Sequence, residues 1–115
     1  MKEIAEIVSI IEQYSKHDWV VRRITLSSGL VAALGAEMAV RHPDIKVEES
    51  HREAIWFSRR TLPDREAWEL RRLSGSPFAL VALLEDAWSQ DDREQVLRDT
   101  EDRMFNEVHR EPTSH

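Results

Sequence analysis

The apolar residues of the first segment recur at helical spacing. They fall every three or four positions, so that one face of a helix is apolar and the other charged. The residues of this stripe are Ile4, Ile7, Val8, Ile11 and Tyr14. The spacing predicts an amphipathic helix over residues 2–16.

The pattern changes after this helix to one that favours a strand. Residues 19–26 read WVVRRITL and are rich in the β-branched side chains that suit a pleated sheet. After a Ser-Ser-Gly break, residues 30–41 form a mostly apolar run that stops before Pro43, which is typical of a buried helix. Residues 45–50 fit either a short strand or the beginning of one long strand that continues to residue 60.

The pattern of residues 52–73 predicts a β-hairpin. The adjacent residues IWF at positions 55–57 suit a pleated surface, and residues 62–65 contain the Pro and Asp of a turn. Apolar and charged residues then alternate over positions 68–71, as the two-residue period of a strand requires. An alternative stays open, because residues 61–75 also carry the early acids, late arginines and final glycine of a helix.

The last third of the chain is predicted to contain two helices. A Ser-Pro pair at residues 76–77 is typical of a helix start, and residues 78–88 are apolar nearly all round. Residues 89–110 carry early acids and late bases, the arrangement that the helix dipole favours. Residues 19–34 and 68–84 also share a pattern, W-x-x-R-R, a Ser/Gly break and then LVAAL or LVALL, which favours strand–turn–helix for both.

These elements predict one small α+β domain over residues 1–110, followed by a frayed tail at residues 111–115. The predicted order is α-β-α-β-β-α-α, with a small, mostly antiparallel sheet packed on one side by helices. A chain of 115 residues is long enough for a core of its own. If residues 45–75 are helical instead, the fold is an all-α bundle.

Composition narrows the classes of function. The chain has no Cys, which removes disulfides, zinc–thiolate sites and thiol nucleophiles. No metal-binding His pattern, nucleophile elbow or phosphate-binding glycine loop is present, so we assign no catalytic residue, metal or cofactor. An acid-containing N-terminus and the lack of a membrane-length apolar run predict a cytoplasmic protein without a membrane partner. An enzyme with a pocket between sheet and helices is the third and last hypothesis.

Acidic residues concentrate at the C-terminal end of the chain. The net charge is −6, and residues 85–115 account for it with ten acids and four arginines. This speaks against nucleic acid and suits a basic protein surface, although a solubilising helix face has the same composition. The first hypothesis is a non-enzymatic protein-binding or regulatory domain, of inhibitor or immunity type and compatible with a homodimer. Its proposed contacts in the last helix are Asp92, Asp99 and Asp102.

Arginine pairs on the three predicted strands give the second hypothesis. Adjacent strand residues face opposite ways, so each strand contributes one arginine to each face of the sheet. Arginines beside an exposed Trp bind phosphate, carboxylate or single-stranded nucleic acid. Alternatively, these arginines pair with acids across the strands, and each Trp lies in the core. The residues of this anion-binding hypothesis are Arg22, Arg23, Arg59, Arg60, Arg71, Arg72 and Trp56.

Overall fold

The computed structural model describes the backbone of residues 4–110 and the side chains of residues 4–106. In this part of the chain, three helices and five strands follow in the order α-β-α-β-β-β-β-α. They are α1 (Ile4–Ser15), β1 (Val20–Leu26), α2 (Ser28–Arg41), β2 (Lys46–Glu49), β3 (Ala54–Leu62), β4 (Arg65–Arg72), β5 (Ala79–Glu85) and α3 (Gln90–Arg110). The predicted α+β class is confirmed, and α1, β1, α2 and α3 lie where the sequence predicts them.

The strands form one sheet in the order β2-β1-β3-β4-β5. β1 and β2 are parallel and are connected through α2, whereas all other neighbouring strands are antiparallel. β3 and β4 are joined by a turn at Pro63 and Asp64, which is the predicted hairpin. The sheet is therefore mostly antiparallel, as predicted, and its edge strands are β2 and β5.

The first core lies between one face of the sheet and helices α1 and α2. Its fully buried side chains include Ile7 and Ile11 of α1, Leu34 of α2, Ile24 of β1 and Phe57 of β3. Each such burial stabilises the fold by roughly 1.5–3 kcal/mol. The apolar stripe of the first segment therefore holds α1 against the sheet.

The second core lies on the opposite face of the sheet, beneath α3. Trp56 and Leu70 come from the middle of the sheet, Leu84 comes from β5, and Leu97 and Met104 come from α3. The first five residues of β3 are all buried, because helices lie above and below that strand. Helices thus cover both faces of the sheet, whereas the sequence predicts them on one face.

The prediction of a helix over residues 78–88 is wrong, because residues 79–85 form strand β5. Leu80 and Leu84 face α3, while Val81 and Leu83 point to the other side. A seven-residue apolar run does not by itself distinguish a helix from a buried strand. Here β4 supplies a pairing edge, with Leu70 directly opposite Leu80.

The segments that the sequence leaves open are strands as well. Residues 46–49 pair with β1 as the short strand β2. Residues 61–75 contain the end of β3 and all of β4, so the alternative helix there, and with it the all-α bundle, is wrong. The predicted tail at residues 111–115 lies outside the described residues.

Candidate interaction surface

Strand β5 differs from the other edge of the sheet in its chemistry. Edge strands expose unpaired backbone groups, and proteins protect them by charge, proline, a bulge or short length. β2 has this protection, because it is four residues long and reads KVEE. β5 is seven residues long, reads ALVALLE, and has no charged residue before Glu85. Within the described residues it pairs with β4 alone, so its outer edge has no neighbouring strand.

The α1 side of β5 is also open. α1 packs on β1, and α2 packs on β1 and β2, at the other end of the sheet. Val81 and Leu83 are therefore each 51% exposed. In the sheet, Val81 lies beside Glu69, and Leu83 lies beside Ala67. We call the α1-side surface of β4 and β5 the open face; its residues are Arg65, Ala67, Glu69, Arg71, Ala79, Val81, Leu83 and Glu85.

A groove of about 480 Å³ separates the end of α1 from the open face. The Tyr14 ring stacks on Phe57 with a centroid separation of 3.8 Å, and its hydroxyl donates a hydrogen bond to Glu69 Oε2. Burial, followed by the hydrogen bond to Glu69 and the charge of that carboxylate, raises the pKa of Tyr14 to about 12. The phenol is therefore a neutral donor near pH 7 and fixes the Glu69 carboxylate. The residues that line this groove are Gln13, Tyr14, Lys16, His17, Trp19 and Glu69.

Two of the arginines of the anion-binding hypothesis lie on the α1 side of the sheet. Arg59 lies over the Trp19 ring, 4.8 Å from its centroid, and donates to the backbone oxygen of His17 at 2.9 Å. Arg71 lies beside the Tyr14 hydroxyl, within the open face. Arg59 therefore packs on an aromatic ring at the end of its strand, and only Arg71 belongs to the open face.

The other four arginines lie on the α3 side. Arg22 donates to Ser58 Oγ at 2.7 Å, and Arg23 forms an ion pair with Glu94 at 2.6 Å. A shift in the β1–β3 pairing between Val21 and Arg23 turns both side chains to this face. Arg60 pairs with Asp86 at 2.9 Å, and Arg72 donates to the backbone oxygen of Ser76. The structure therefore does not bring the six arginines together into one cluster.

Trp56 does not present its ring to solvent. It is 2% exposed, and its Nε1–H donates to Glu101 Oε2 at 2.7 Å. The Trp68 ring contacts it edge to face, with centroids 6.0 Å apart. Trp56 therefore lies in the core, as the alternative interpretation of the sequence has it. Trp19, at the groove, is partly accessible.

The three proposed acidic contacts on α3 are in different surroundings. Asp92 and Asp99 are exposed, and Asp99 accepts a hydrogen bond from Gln95 within the helix. Asp102 pairs with Arg52 at 2.8 Å, which fastens the helix to the beginning of β3. Other acids of α3 face inward, Glu94 to Arg23 and Glu101 to Trp56. The solvent-facing side of α3 therefore carries fewer acidic side chains than the sequence of the helix suggests.

A second cleft, of about 500 Å³, lies where the end of β4 meets the later part of α3. Arg52 lies over the Phe105 ring at 5.6 Å, and Arg72 lies over Phe78 at 5.7 Å. Gly75 adopts a left-handed backbone with φ of +73°, and the Arg72 guanidinium packs against it. The cleft is lined by His51, Arg52, Arg72, Ser74, Gly75, Phe105 and Asn106.

The described residues contain neither a metal-binding cluster nor a membrane-spanning helix. No group of three or more His, Asp or Glu side chains there is placed to hold a metal ion. None of the described helices is long and apolar enough to cross a membrane. In comparisons with known proteins, no family model, no curated protein and no solved structure matches this chain.

Sequence reasoning missed the open edge because it assigns the β5 segment to a buried helix. The absence of charge from Ala79 to Leu84 is the signal that identifies this edge, but it has that meaning only for a strand. The arginines proposed from the sequence mostly contact other side chains or backbone oxygens, and the proposed acid Asp102 pairs with Arg52. β5 and the open face therefore form the surface whose exposed apolar side chains are least explained by packing within the fold.

Proposed function

We propose that this protein is a non-enzymatic protein-binding domain and that β5, with the open face, is its binding surface. One observation carries the proposal: the seven-residue edge strand β5 contains no proline, no register shift and no charge before Glu85, and it exposes half of Val81 and half of Leu83. Unprotected edges pair with extended segments of other chains. The proposal keeps the class of function that the sequence predicts and adds β5 to the contacts proposed on α3.

The physical basis of binding is the addition of a strand. Backbone hydrogen bonds from the outer edge of β5 supply the pairing, and alternate side chains of the added strand contact the open face. Burial of the exposed halves of Val81 and Leu83 contributes roughly 1 kcal/mol each. Glu69, fixed by Tyr14, and Arg71 lie one strand further in and supply charges that select the added segment.

The acidic contacts on α3 remain a second part of the proposal. A basic partner surface would contact Asp92 and Asp99, which are exposed, whereas Asp102 is already paired with Arg52. Contacts of this exposed kind mainly raise the association rate and weaken as salt rises. Their contribution is therefore separable from strand addition by its salt dependence.

The test is affinity capture of the tagged protein from its native cell extract at two salt concentrations. Val81→Lys places a charge on the edge, and Val40→Lys is the matched control, because Val40 is 84% exposed on α2 and away from β5. Strand addition predicts that Val81→Lys loses the captured protein at both salt concentrations and that Val40→Lys retains it. Equal capture by all three proteins would refute a role for β5.

The same experiment tests α3 with the double variant Asp92→Lys/Asp99→Lys. Charge complementarity predicts a loss that is large at low salt and small at high salt. Asp44→Lys/Glu49→Lys, at two exposed acids outside α3, is the control because it makes the same change of +4 in net charge. Capture that does not differ between the α3 variant and this control would remove α3 from the proposal.

Anion binding is the second candidate function, and the second cleft favours it. Two guanidinium groups and His51 line one cavity, and Asp102 is the acid paired with Arg52 there. Arginine forks in such a cavity bind phosphate or carboxylate. Calorimetric titration with inorganic phosphate should show binding that weakens with salt and is lost in Arg72→Ala. No heat of binding at low salt would exclude this candidate.

A further inference from the structure

We propose that the partner of β5 is a second copy of this chain, joined by antiparallel pairing of β5 with β5 about a two-fold axis. The inference rests on the proposed binding function of the β5 edge and names its occupant. The result would be a continuous sheet of ten strands, with five from each copy. The two β2 strands, short and charged, would then be the remaining edges.

The sequence of β5 is suited to pairing with itself. A two-fold axis places like residues near one another, so a charged strand repels its own copy, whereas an uncharged strand does not. Between Ala79 and Leu84 every side chain is apolar. The small Ala82 lies at the middle of the strand, where the two copies come closest.

The register with its axis at Ala82 pairs the centre of the strand. In it, Val81 lies opposite Leu83 of the second copy, whereas at the end of the strand the Glu85 carbonyl already accepts from the Trp88 N–H and from Arg93. Side chains alternate between the two faces along a strand, and directly opposite residues of an antiparallel pair share a face. Val81 and Leu83 of the second copy therefore both point to the open face. Two Val–Leu pairs thus form on that face, and the residues that are each 51% exposed cover one another. On the α3 side, Leu80 lies opposite Leu84 of the second copy.

The charges at the ends of β5 fit this register. Glu85 lies opposite Ala79 of the second copy, so the two glutamates do not meet. Within its own chain Glu85 is beside Arg65, and Ala79 is beside Arg71. Four residues therefore lie side by side across the open face. They are Arg65 and Glu85 of one copy, followed by Ala79 and Arg71 of the second copy. An acid between two bases attracts both, and the short alanine leaves space for them.

The expected dimer is weak. One strand pair with four exposed apolar side chains is a small interface, of the kind found in transient complexes. We therefore expect dissociation in the micromolar range, around 10 μM to order of magnitude. Association will depend on protein concentration and, since its centre is apolar, only slightly on salt.

Analytical ultracentrifugation of the full chain tests the inference with variants that report the register. In the homodimer, Val81→Lys and Leu83→Glu each put two charges opposite apolar residues, one in each Val–Leu pair, and each should weaken the dimer at least tenfold. Val40→Lys, the matched exposed control, should dimerise like the wild type. Because each altered side chain is at least half exposed, all variants should keep the wild-type circular dichroism spectrum.

Mixing the two weakened variants is the decisive step. With the axis at Ala82, the introduced lysine of one chain faces the introduced glutamate of the other, and the second pair remains Val81 opposite Leu83. The mixture should therefore form a heterodimer tighter than the homodimer of either variant, and the double variant Val81→Lys/Leu83→Glu should form a homodimer tighter than that of either single variant. No recovery in the mixture would overturn the proposed register.

The outcomes also separate this inference from the proposed function. A wild-type protein that stays monomeric at the highest concentration would overturn self-pairing. If Val81→Lys nevertheless abolishes capture of a different protein from cell extract, the binding function of β5 stands and its occupant is that protein. If the protein is monomeric and Val81→Lys changes no capture, both proposals fall.

Discussion

Glu101→Ala is expected to destabilise the fold by removing the acceptor of a buried hydrogen bond. Glu101 Oε2 accepts the Trp56 Nε1–H at 2.7 Å, and Trp56 is 2% exposed beneath α3. The shortened side chain offers no replacement, so the indole N–H is left without a partner in the second core. This perturbation tests whether α3 is fastened to the sheet by this contact.

The size of the effect follows from the burial of the donor. A buried donor without a partner costs about 1–3 kcal/mol, and hydrogen bonds to charged groups lie in the same range. Alanine recovers a few tenths of a kcal/mol through its helix propensity, which leaves a net loss of about 2 kcal/mol. For a chain of 115 residues that loss lowers the melting temperature by about 8 °C. Glu101→Gln keeps an uncharged acceptor and should lose about half as much.

Urea unfolding followed by tryptophan fluorescence measures this loss. Asp99→Ala is the matched control, because it removes an exposed acid from the same helix and should change the free energy of unfolding by at most about 0.5 kcal/mol. A free energy for Glu101→Ala that equals that of Asp99→Ala would refute the fastening of α3 through Trp56.

Three further predictions follow from the described contacts. Tyr14 is the only tyrosine of the chain, so absorbance at 295 nm should report its titration near pH 12. Because its pKa is raised from 10.0, the contribution of Tyr14 to stability is full below pH 10 and is lost as the pH rises towards 12. A titration midpoint near pH 10 would contradict the burial of the phenol. Burial alone would raise the pKa of Glu66, but hydrogen bonds from Trp68 and Arg93 and the charges of Arg93 and Arg60 lower it overall. Glu66 therefore stabilises the fold above pH 4.5 and less as the pH falls below that value, and Glu66→Gln should flatten the acid side of a stability–pH curve. Gly75→Ala should cost about 1–2 kcal/mol in urea unfolding, because φ there is +73°, while unchanged stability would mean that the turn does not hold this conformation.

Two nearly identical pieces of sequence show why part of the fold was predictable and part was not. LVAAL at residues 30–34 is helical in α2, whereas LVALL at residues 80–84 is a strand in β5. Local pattern is the same in both, so the difference comes from the surroundings: β4 offers its edge to the second piece, with Leu70 opposite Leu80. An element with a strong period of its own, such as α1, needs no such information.

The candidate surface could not be predicted for the same reason. The functional meaning of an uncharged Ala79–Leu84 segment depends on its being an edge strand, which only the strand order reveals. Most of the side chains that the sequence suggested as functional make contacts within the fold, as Trp56 with Glu101 and Arg23 with Glu94 show. The pairing shift at Arg22 and Arg23 was likewise not visible in the sequence, because a bulge has no fixed pattern.

Amide hydrogen exchange of the wild-type protein at two concentrations tests the central claim, the pairing of the β5 edge, most directly. At about 1 μM the outer amides of β5 should exchange quickly, and at about 200 μM, above the expected dissociation constant, they should become protected. The amides of β2, at the charged edge, should exchange alike at both concentrations. Exchange in β5 that does not change with concentration would contradict self-pairing of the strand.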